Sequence, residues 1–396
     1  MGSRVRCWIG WLGAACLSLG AAQGQEAELA IGYLAVARTP PAPVSPLDER
    51  PTDEGIAGAR LGLADTTTTG RFTGQRFRLD ERLLTGDANP VTAVADLAAA
   101  GTRFVVADLD ADALARVAEA PEARGLTILN ARATDDVLRA GGCRANLLHV
   151  APSRAMLADG LAQYLVWKRW RRWFLVVGAA PGDRLYADAV RRAAKRFGAE
   201  IVVEKAWTFR AGSARADTGH VTLQTEIPAF TNVADHDVLV VADEADEFGD
   251  YLAGRTARPR PVAGTQGLAS TAWSPVSEQW GAAQLQSRFA RQAGRRMTAV
   301  DYAAWAAVRS VGEAAIRTGS TEAATVAAYL RGPEFALSAF KGQGQSFRTW
   351  DGQMRQPILI AGPRLLVSVS PQAAFLHRTS TLDTLGIDRE ETACRR

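Results

Sequence analysis

The stretch "NPVTAVADLAAAGTRFVVADLDADALARVAEA", Asn89 to Ala120, contains one full turn of the pattern that decides the fold. Asn89 is a good helix cap, Pro90 fits the first turn, and Gly101 closes the segment after a run of apolar residues at helical spacing. The next run, "RFVVADL", is short, apolar and rich in β-branched residues, which predicts a buried strand. Asp110 then caps a second helix, "DADALARVAEAPEARG", and "LTILNA" follows as another strand. Strands alternating with helices at this spacing predict a parallel sheet with helices on both faces.

Working outward, the same alternation holds on both sides. Upstream lie the strand "LAIGYLAV", the helix "DEGIAGARLGLADT" and the strand "RFRLDERLL". Downstream, after "NLLHVAPS", it restarts with a helix over 152–172, the strand "WFLVVGA", the helix "RLYADAVRRAAKRFG" and the strand "AEIVVEKAW". The strand "DVLVVAD", a helix over "EADEFGDYLAG" and the short run "PRPVAG" complete the second series. The expected fold class is therefore α/β, with two doubly wound parallel-sheet lobes joined by a hinge. Three later helices, "SEQWGAAQLQSRFARQAG", "AVDYAAWAAVRSVGEAAIRTG" and "TEAATVAAYLRG", have no strand between them and are expected to return to the first lobe. The boundaries are then 25–150 plus 270–333 for lobe one, 151–269 plus 334–371 for lobe two, and 372–396 for a C-terminal tail.

Composition agrees with two cores, since 396 residues carry 47% hydrophobic side chains. The net charge of +4 comes with acids interspersed along the chain, which argues against a bulk electrostatic role on nucleic acid. Residues 1–24 read as a secretory signal peptide: Arg4 and Arg6 precede an apolar stretch too short to span a membrane, and "AQG" is a small-x-small cleavage site. The mature chain is expected to begin near Gln25, in the periplasm. Acylation of Cys16 is a lipoprotein alternative, disfavoured because Gly13 stands where such a signal carries leucine. Cleavage leaves Cys143 and Cys394, which an oxidising compartment favours pairing; two free thiols are the alternative. A bridge would tether the tail to the first half of the chain and contribute roughly 2 to 4 kcal/mol.

Enzyme signals are weak. The chain has no G-x-S-x-G elbow, no P-loop and no G-x-G-x-x-G after a strand, and "GQGQSF" lacks the third glycine and the following helix. His149, His220, His236 and His377 are scattered, and no CxxC or cysteine-histidine cluster suggests a metal, so neither catalytic residues nor a cofactor are expected. His149 lies in the first crossover strand and reads as a hinge or core residue.

Several segments resemble a known family, the type I periplasmic substrate-binding proteins of the leucine/isoleucine/valine-binding kind that serve ABC importers. "GIAGARLGLADTTTTGRFTGQRFRL" is similar to that family's first helix and following strand, and "DRLYADAVRRAAKRFGAEIV" to its lobe-two helix. "FKGQGQSFRTWDGQMRQPILI" is similar to its C-terminal hairpin, and the likeness runs roughly from Leu29 to Pro371. More narrowly, "TDDVLRAGGCRANLLHVAPSRAMLADGLAQYL" and the cysteine-containing tail resemble a subgroup associated with PQQ-dependent alcohol dehydrogenase systems. The resemblance implies an exported, non-catalytic and monomeric protein that closes on a small-molecule ligand and delivers it to an ABC permease. A sensor or accessory protein that binds a protein partner through the same fold is the alternative.

In doubly wound sheets, ligands sit beyond the carboxyl ends of the strands. Facing lobes turn those ends into one cleft. The loop "NARATDD" falls there, and the resemblance implies hydroxyls and amides for a ligand carboxylate where Ala133, Thr134 and Asp135 stand. Asp108 follows the third strand, with Asp110 reading as the helix cap beside it. Asp243 and Glu244 divide between capping and ligand contact, Gln266 is a polar contact near the second crossover, and the segment from Tyr33 to Arg38 closes one side. Acids in these places would repel an ordinary amino acid carboxylate, so a neutral or cationic ligand, or a cleft without solute binding, is expected. The basic and aromatic stretch "QYLVWKRWRRWFLVVG", Gln163 to Gly178, reads as a helix end and the first strand of lobe two, away from the cleft.

Overall fold

The computed structural model describes residues 27–38, 51–208 and 226–394. The expected signal segment, Cys16 and the expected mature start near Gln25 lie outside them. Lobe one is a parallel sheet of β1 (Ala27–Val36), β2 (Gln75–Leu84), β3 (Phe104–Asp108), β4 (Thr127–Asn130) and β5 (Leu147–His149), in the order β2-β1-β3-β4-β5. Its helices are α1 (Ile56–Thr73), α2 (Pro90–Ala99), α3 (Ala111–Glu119) and the short α4 (Val137–Ala140). Asn89 and Asp110 cap α2 and α3 as expected, each accepting a backbone N–H, from Val91 at 2.9 Å and Ala113 at 2.8 Å.

Lobe two begins with α5 (Arg154–Trp167) and repeats that order with β6 (Arg172–Val177), β7 (Glu200–Ala206), β8 (Val238–Ala242), β9 (Val262–Gly264) and β10 (Leu268–Thr271). The helices α6 (Pro181–Phe197) and α7 (Gly249–Leu252) belong to it, and the antiparallel strands β14 (Ile358–Ala361) and β15 (Leu366–Ser370) extend its edge. Helix α5 stops at Trp167 rather than running to 172 because Arg169 takes a φ of 66°, and the Trp170 N–H bonds back to the Leu165 carbonyl at 2.9 Å. Arg171 and Arg172 lie at the amino end of β6, their N–H groups held by the Asp237 carboxylate, while Trp173 is buried in the lobe-two core.

The three later helices, α8 (Ala282–Ala293), α9 (Ala299–Thr318) and α10 (Ala323–Arg331), contribute to the same core as β1 and α1. Glycine decides how closely α1 and α9 pack. A Cβ on Gly58 would lie 1.9 Å from the Asp301 carbonyl oxygen, and one on Gly62 2.9 Å from that of Trp305. The Gly-Ala spacing of "GIAGARLG" is therefore a helix-helix contact.

One boundary differs from expectation. The small sheet of β11 (Leu337–Ser338), β12 (Gly344–Phe347) and β13 (Met354–Arg355) falls within 334–371, the range expected in lobe two, yet Leu337, Phe347 and Met354 sit in the lobe-one core. Phe347 stacks on Phe335 at 5.6 Å, so the chain stays with lobe one until Pro357. The first and third crossings then run side by side. Gln356 donates to the Val150 carbonyl at 2.6 Å, and Gln353 donates to those of His149 and Ala151 at 3.2 and 3.1 Å. His149 is fully buried beside them, as a core residue of the hinge.

Candidate functional site

The carboxyl ends of both parallel sheets carry the loops named above. On lobe one, β3 ends at Asp108, only 1% exposed. Its carboxylate accepts from the Tyr33 hydroxyl at 2.7 Å, from Arg38 at 3.1 Å and from Arg132 through both Nε and a terminal nitrogen. Arg132 also reaches Glu54 at 2.8 Å. Burial works against the Arg132 charge, but Asp108 and Glu54 outweigh it and hold its pKa above the ordinary arginine value. Burial, reinforced by Asp108, pushes the Tyr33 phenol well above its usual range.

The loop after β4 is built around two buried side chains. Asn130 accepts the Ala133 N–H at 2.8 Å and donates to the Ala133 carbonyl at 2.7 Å. Arg139 donates to the carbonyls of Ala133, Asp135 and Ala151 and, through Nε, to Gln353 at 2.7 Å. Burial brings its pKa down to about 10. Ala133 is accordingly a buried support of the loop, and Thr134 presents its carbonyl to the Arg154 N–H at 2.8 Å.

Arg154, at the first turn of α5, joins the two lobes. One terminal nitrogen lies 2.9 Å from Asp135 of lobe one, while Nε and the other terminal nitrogen grip Glu244 of lobe two at 2.9 and 2.7 Å. Burial lowers the tendency of Arg154 to stay charged, yet Glu244 and Asp135 hold its pKa above the ordinary value. Glu244 is shifted up, by burial first, with Arg154 opposing. Gly182, in the first turn of α6, faces this group, and a Cβ there would lie 2.7 Å from the Glu244 carboxylate.

Asp243 and Gln266 turn away from this arrangement. The Asp243 carboxylate accepts the N–H groups of Glu247, Phe248 and Gly249 at 3.0, 2.9 and 2.7 Å, which also explains why the helix expected over "EADEFGDYLAG" shrinks to α7. Burial raises the Asp243 pKa and those N–H groups oppose the shift. Gln266 donates to the Asp243 carbonyl at 3.0 Å and to Asp246 at 3.2 Å, so both serve their own loop.

The structure thus brings Asp135 and Glu244 together through Arg154, places Asp108 on the lobe-one wall, and folds Ala133, Asp243 and Gln266 inward. The expectation of an acid-lined cleft is corrected, because Asp108, Asp135 and Glu244 are each ion-paired with an arginine. Sequence reading missed Arg132 and Arg154. Arg132 stands inside the quoted "NARATDD" loop and could have been read there, whereas Arg154, directly after the Ser153 cap, has no suspected acid beside it in the sequence. Among the described residues, no three His, Cys, Asp or Glu side chains converge to hold a metal ion, and no helix is long and apolar enough to cross a membrane.

No family model and no curated protein matches the chain. Solved structures match along most of it. A leucine-, isoleucine-, valine-, threonine- and alanine-binding protein from Brucella ovis, in its closed conformation, is 15% identical with a TM-score of 0.67, covering 87% of this chain and 95% of its own. A branched-chain amino acid ABC transporter periplasmic ligand-binding protein from Burkholderia xenovorans gives 14% identity and a TM-score of 0.66, covering 86% and 95%. A solute-binding protein of an ABC transporter from Rhodopseudomonas palustris, in complex with 3,4-dihydroxybenzoic acid, gives 12% and 0.59, covering 87% and 97%. The chain therefore has the two-lobed α/β fold of the type I periplasmic binding proteins.

Proposed function

We propose that this chain is an exported, non-catalytic solute-binding protein that closes two lobes on a small ligand and hands it, as a monomer, to an ABC permease. The observation that carries this reading is Arg154, a charged group shared between Asp135 on one lobe and Glu244 on the other. A group held by carboxylates on both walls changes its partners when the lobes move or a ligand enters. Export rests on the segment "RVRCWIGWLGAACLSLGAAQGQ", and the transport role on solved relatives named as ABC transporter binding proteins.

The pairing also revises the ligand class. Glu54, Asp135 and Glu244 are each partly exposed, so a ligand carboxylate can take the place of one of them on the Arg132 or Arg154 guanidinium while the displaced acid turns to water. Small carboxylate-bearing molecules, amino acids and aromatic acids, fit this chemistry, and the narrower resemblance adds alcohols and quinones for comparison. The test is a melting-temperature screen of the purified mature protein across these four classes, followed by small-angle scattering with any hit. A rise in Tm with compaction on a carboxylate-bearing ligand is expected. No shift across the panel would sink the reading, and a shift with alcohols alone would overturn the ligand class.

A further inference from the structure

The C-terminal tail does more than end the chain. Residues 371–394 leave the edge of the lobe-two sheet after β15 and run along the junction of the lobes. Lobe two grips this segment first. The Gln372 N–H donates to Gln163 of α5 at 3.0 Å, Phe375 packs edge-on against Phe197 of α6 at 5.4 Å, and Leu385 enters the lobe-two core. Asp159, fully buried on α5, accepts the Gly386 N–H at 2.8 Å, while Arg192 and Arg196 of α6 donate to the Gly386 carbonyl at 2.9 and 2.7 Å.

Lobe one grips the same residues from the other side. Arg348, in the turn after β12, is 2% exposed and donates to Asp383 at 2.9 Å and to the carbonyls of Leu385 and Ile387 at 2.7 and 3.2 Å. Arg355 of β13 adds a second contact to Asp383 at 2.8 Å. The end is then fixed on α4. Thr392 donates to the Arg139 carbonyl at 2.8 Å, the Ala393 N–H donates to that of Ala140 at 2.7 Å, and Cys394 is disulfide-bonded to Cys143.

We infer that this strap is a fourth, covalently closed connection between the lobes, which narrows their range of relative motion and ties that range to the cleft loop. A type I fold swings on the crossings that its chain makes between lobes. Here a further segment, held by both lobes along its length, must slide or peel when they rotate. The disulfide prevents peeling from the lobe-one end. Arg139 carries the connection onward, since its carbonyl anchors Thr392 while its guanidinium supports the carbonyls of Ala133 and Asp135.

The test goes beyond ligand binding and needs no ligand. Single-molecule energy transfer would be recorded between dyes coupled through click-reactive residues at Glu122 on lobe one and Lys195 on lobe two, both exposed, in the oxidised protein, the Cys143→Ser plus Cys394→Ser variant, and the oxidised protein after dithiothreitol. Dithiothreitol supplies the electron pair and the protons that turn the bridge into two thiols and itself closes to a cyclic disulfide. Opening the bridge is expected to broaden the distance distribution and shift its mean, with circular dichroism unchanged at the measuring temperature. Identical distributions in the oxidised and opened forms would overturn the inference. If the serine variant does not fold, the reduced wild type decides the matter by the same reading. A chain that bound no solute would still show the broadening, so this result stands apart from the transport reading.

Discussion

Lobe one and lobe two share one strand order, and the equivalent strands β3 and β8 both lead into an aspartate, Asp108 in one and Asp243 in the other. Both residues are 1% exposed. Asp108 is held by side chains, Tyr33, Arg38 and Arg132, whereas Asp243 is held by three backbone N–H groups of its own loop. Backbone donors cannot leave without unmaking the loop. Guanidinium groups on flexible stems can turn to another acceptor. The same residue at the same topological position is therefore fixed by its own backbone in lobe two and held by exchangeable side chains in lobe one.

The sharpest way to break this comparison is to remove both carboxylates. Asp243→Ala strands two buried N–H groups and one part-buried one, and is expected to cost about 3 kcal/mol or more in urea unfolding. Asp108→Ala is expected to cost less, about 2 kcal/mol, because Arg132 keeps Glu54 and only the Tyr33 hydroxyl loses its partner in the core. Equal losses would mean that the lobe-one carboxylate is scaffold as well. The next effect is Arg154→Ala, which leaves Asp135 and Glu244 without the cation between them. A loss of about 1 to 2 kcal/mol is expected. It should come with an increased radius of gyration in small-angle scattering, and an unchanged radius would deny Arg154 a part in holding the lobes.

The smallest effect concerns pH. Burial holds the Glu244 pKa above 4.5 despite Arg154, so the folded chain takes up this proton more readily than the unfolded one. The contribution of Glu244 to stability is fully present below 4.5 and is lost as pH rises through its folded pKa. Glu244→Gln should remove that slope, a difference of about 1 kcal/mol or less between unfolding curves at pH 4 and pH 7. Parallel curves for the variant and the parent would show that Glu244 titrates alike in both states.

Much of the architecture is legible in the order of residues. Apolar runs of strand length between helices identify most core strands of the two sheets, though β10 goes unread, and Asn89 and Asp110 cap the helices expected of them. The disulfide of Cys143 with Cys394 joins the two cysteines that lie outside the expected signal segment, as the cysteine count suggested. The hairpin at 337–355 is misplaced by sequence reading because its short strands carry no signal of which core they join, and Phe335 and Tyr302 settle that by packing. The site is legible only in outline. Strand order locates its loops, but not the partners of their side chains.

What the sequence determined by itself is local and periodic. Spacing of apolar residues, caps and glycines act within a few positions, so they specify helices, strands and their alternation wherever the chain finally goes. What only the tertiary structure decided is the state of the charges. Arg154 meets Glu244 across 90 residues and Arg139 meets Gln353 across 214, pairings that exist because separate strand ends and crossings are brought together. An ion pair depends on distance and burial in space, and neither is written in the order of residues. The acids that read as repulsive are ion-paired for that reason, and the tail expected to be tethered at one cysteine is held along its length by both lobes.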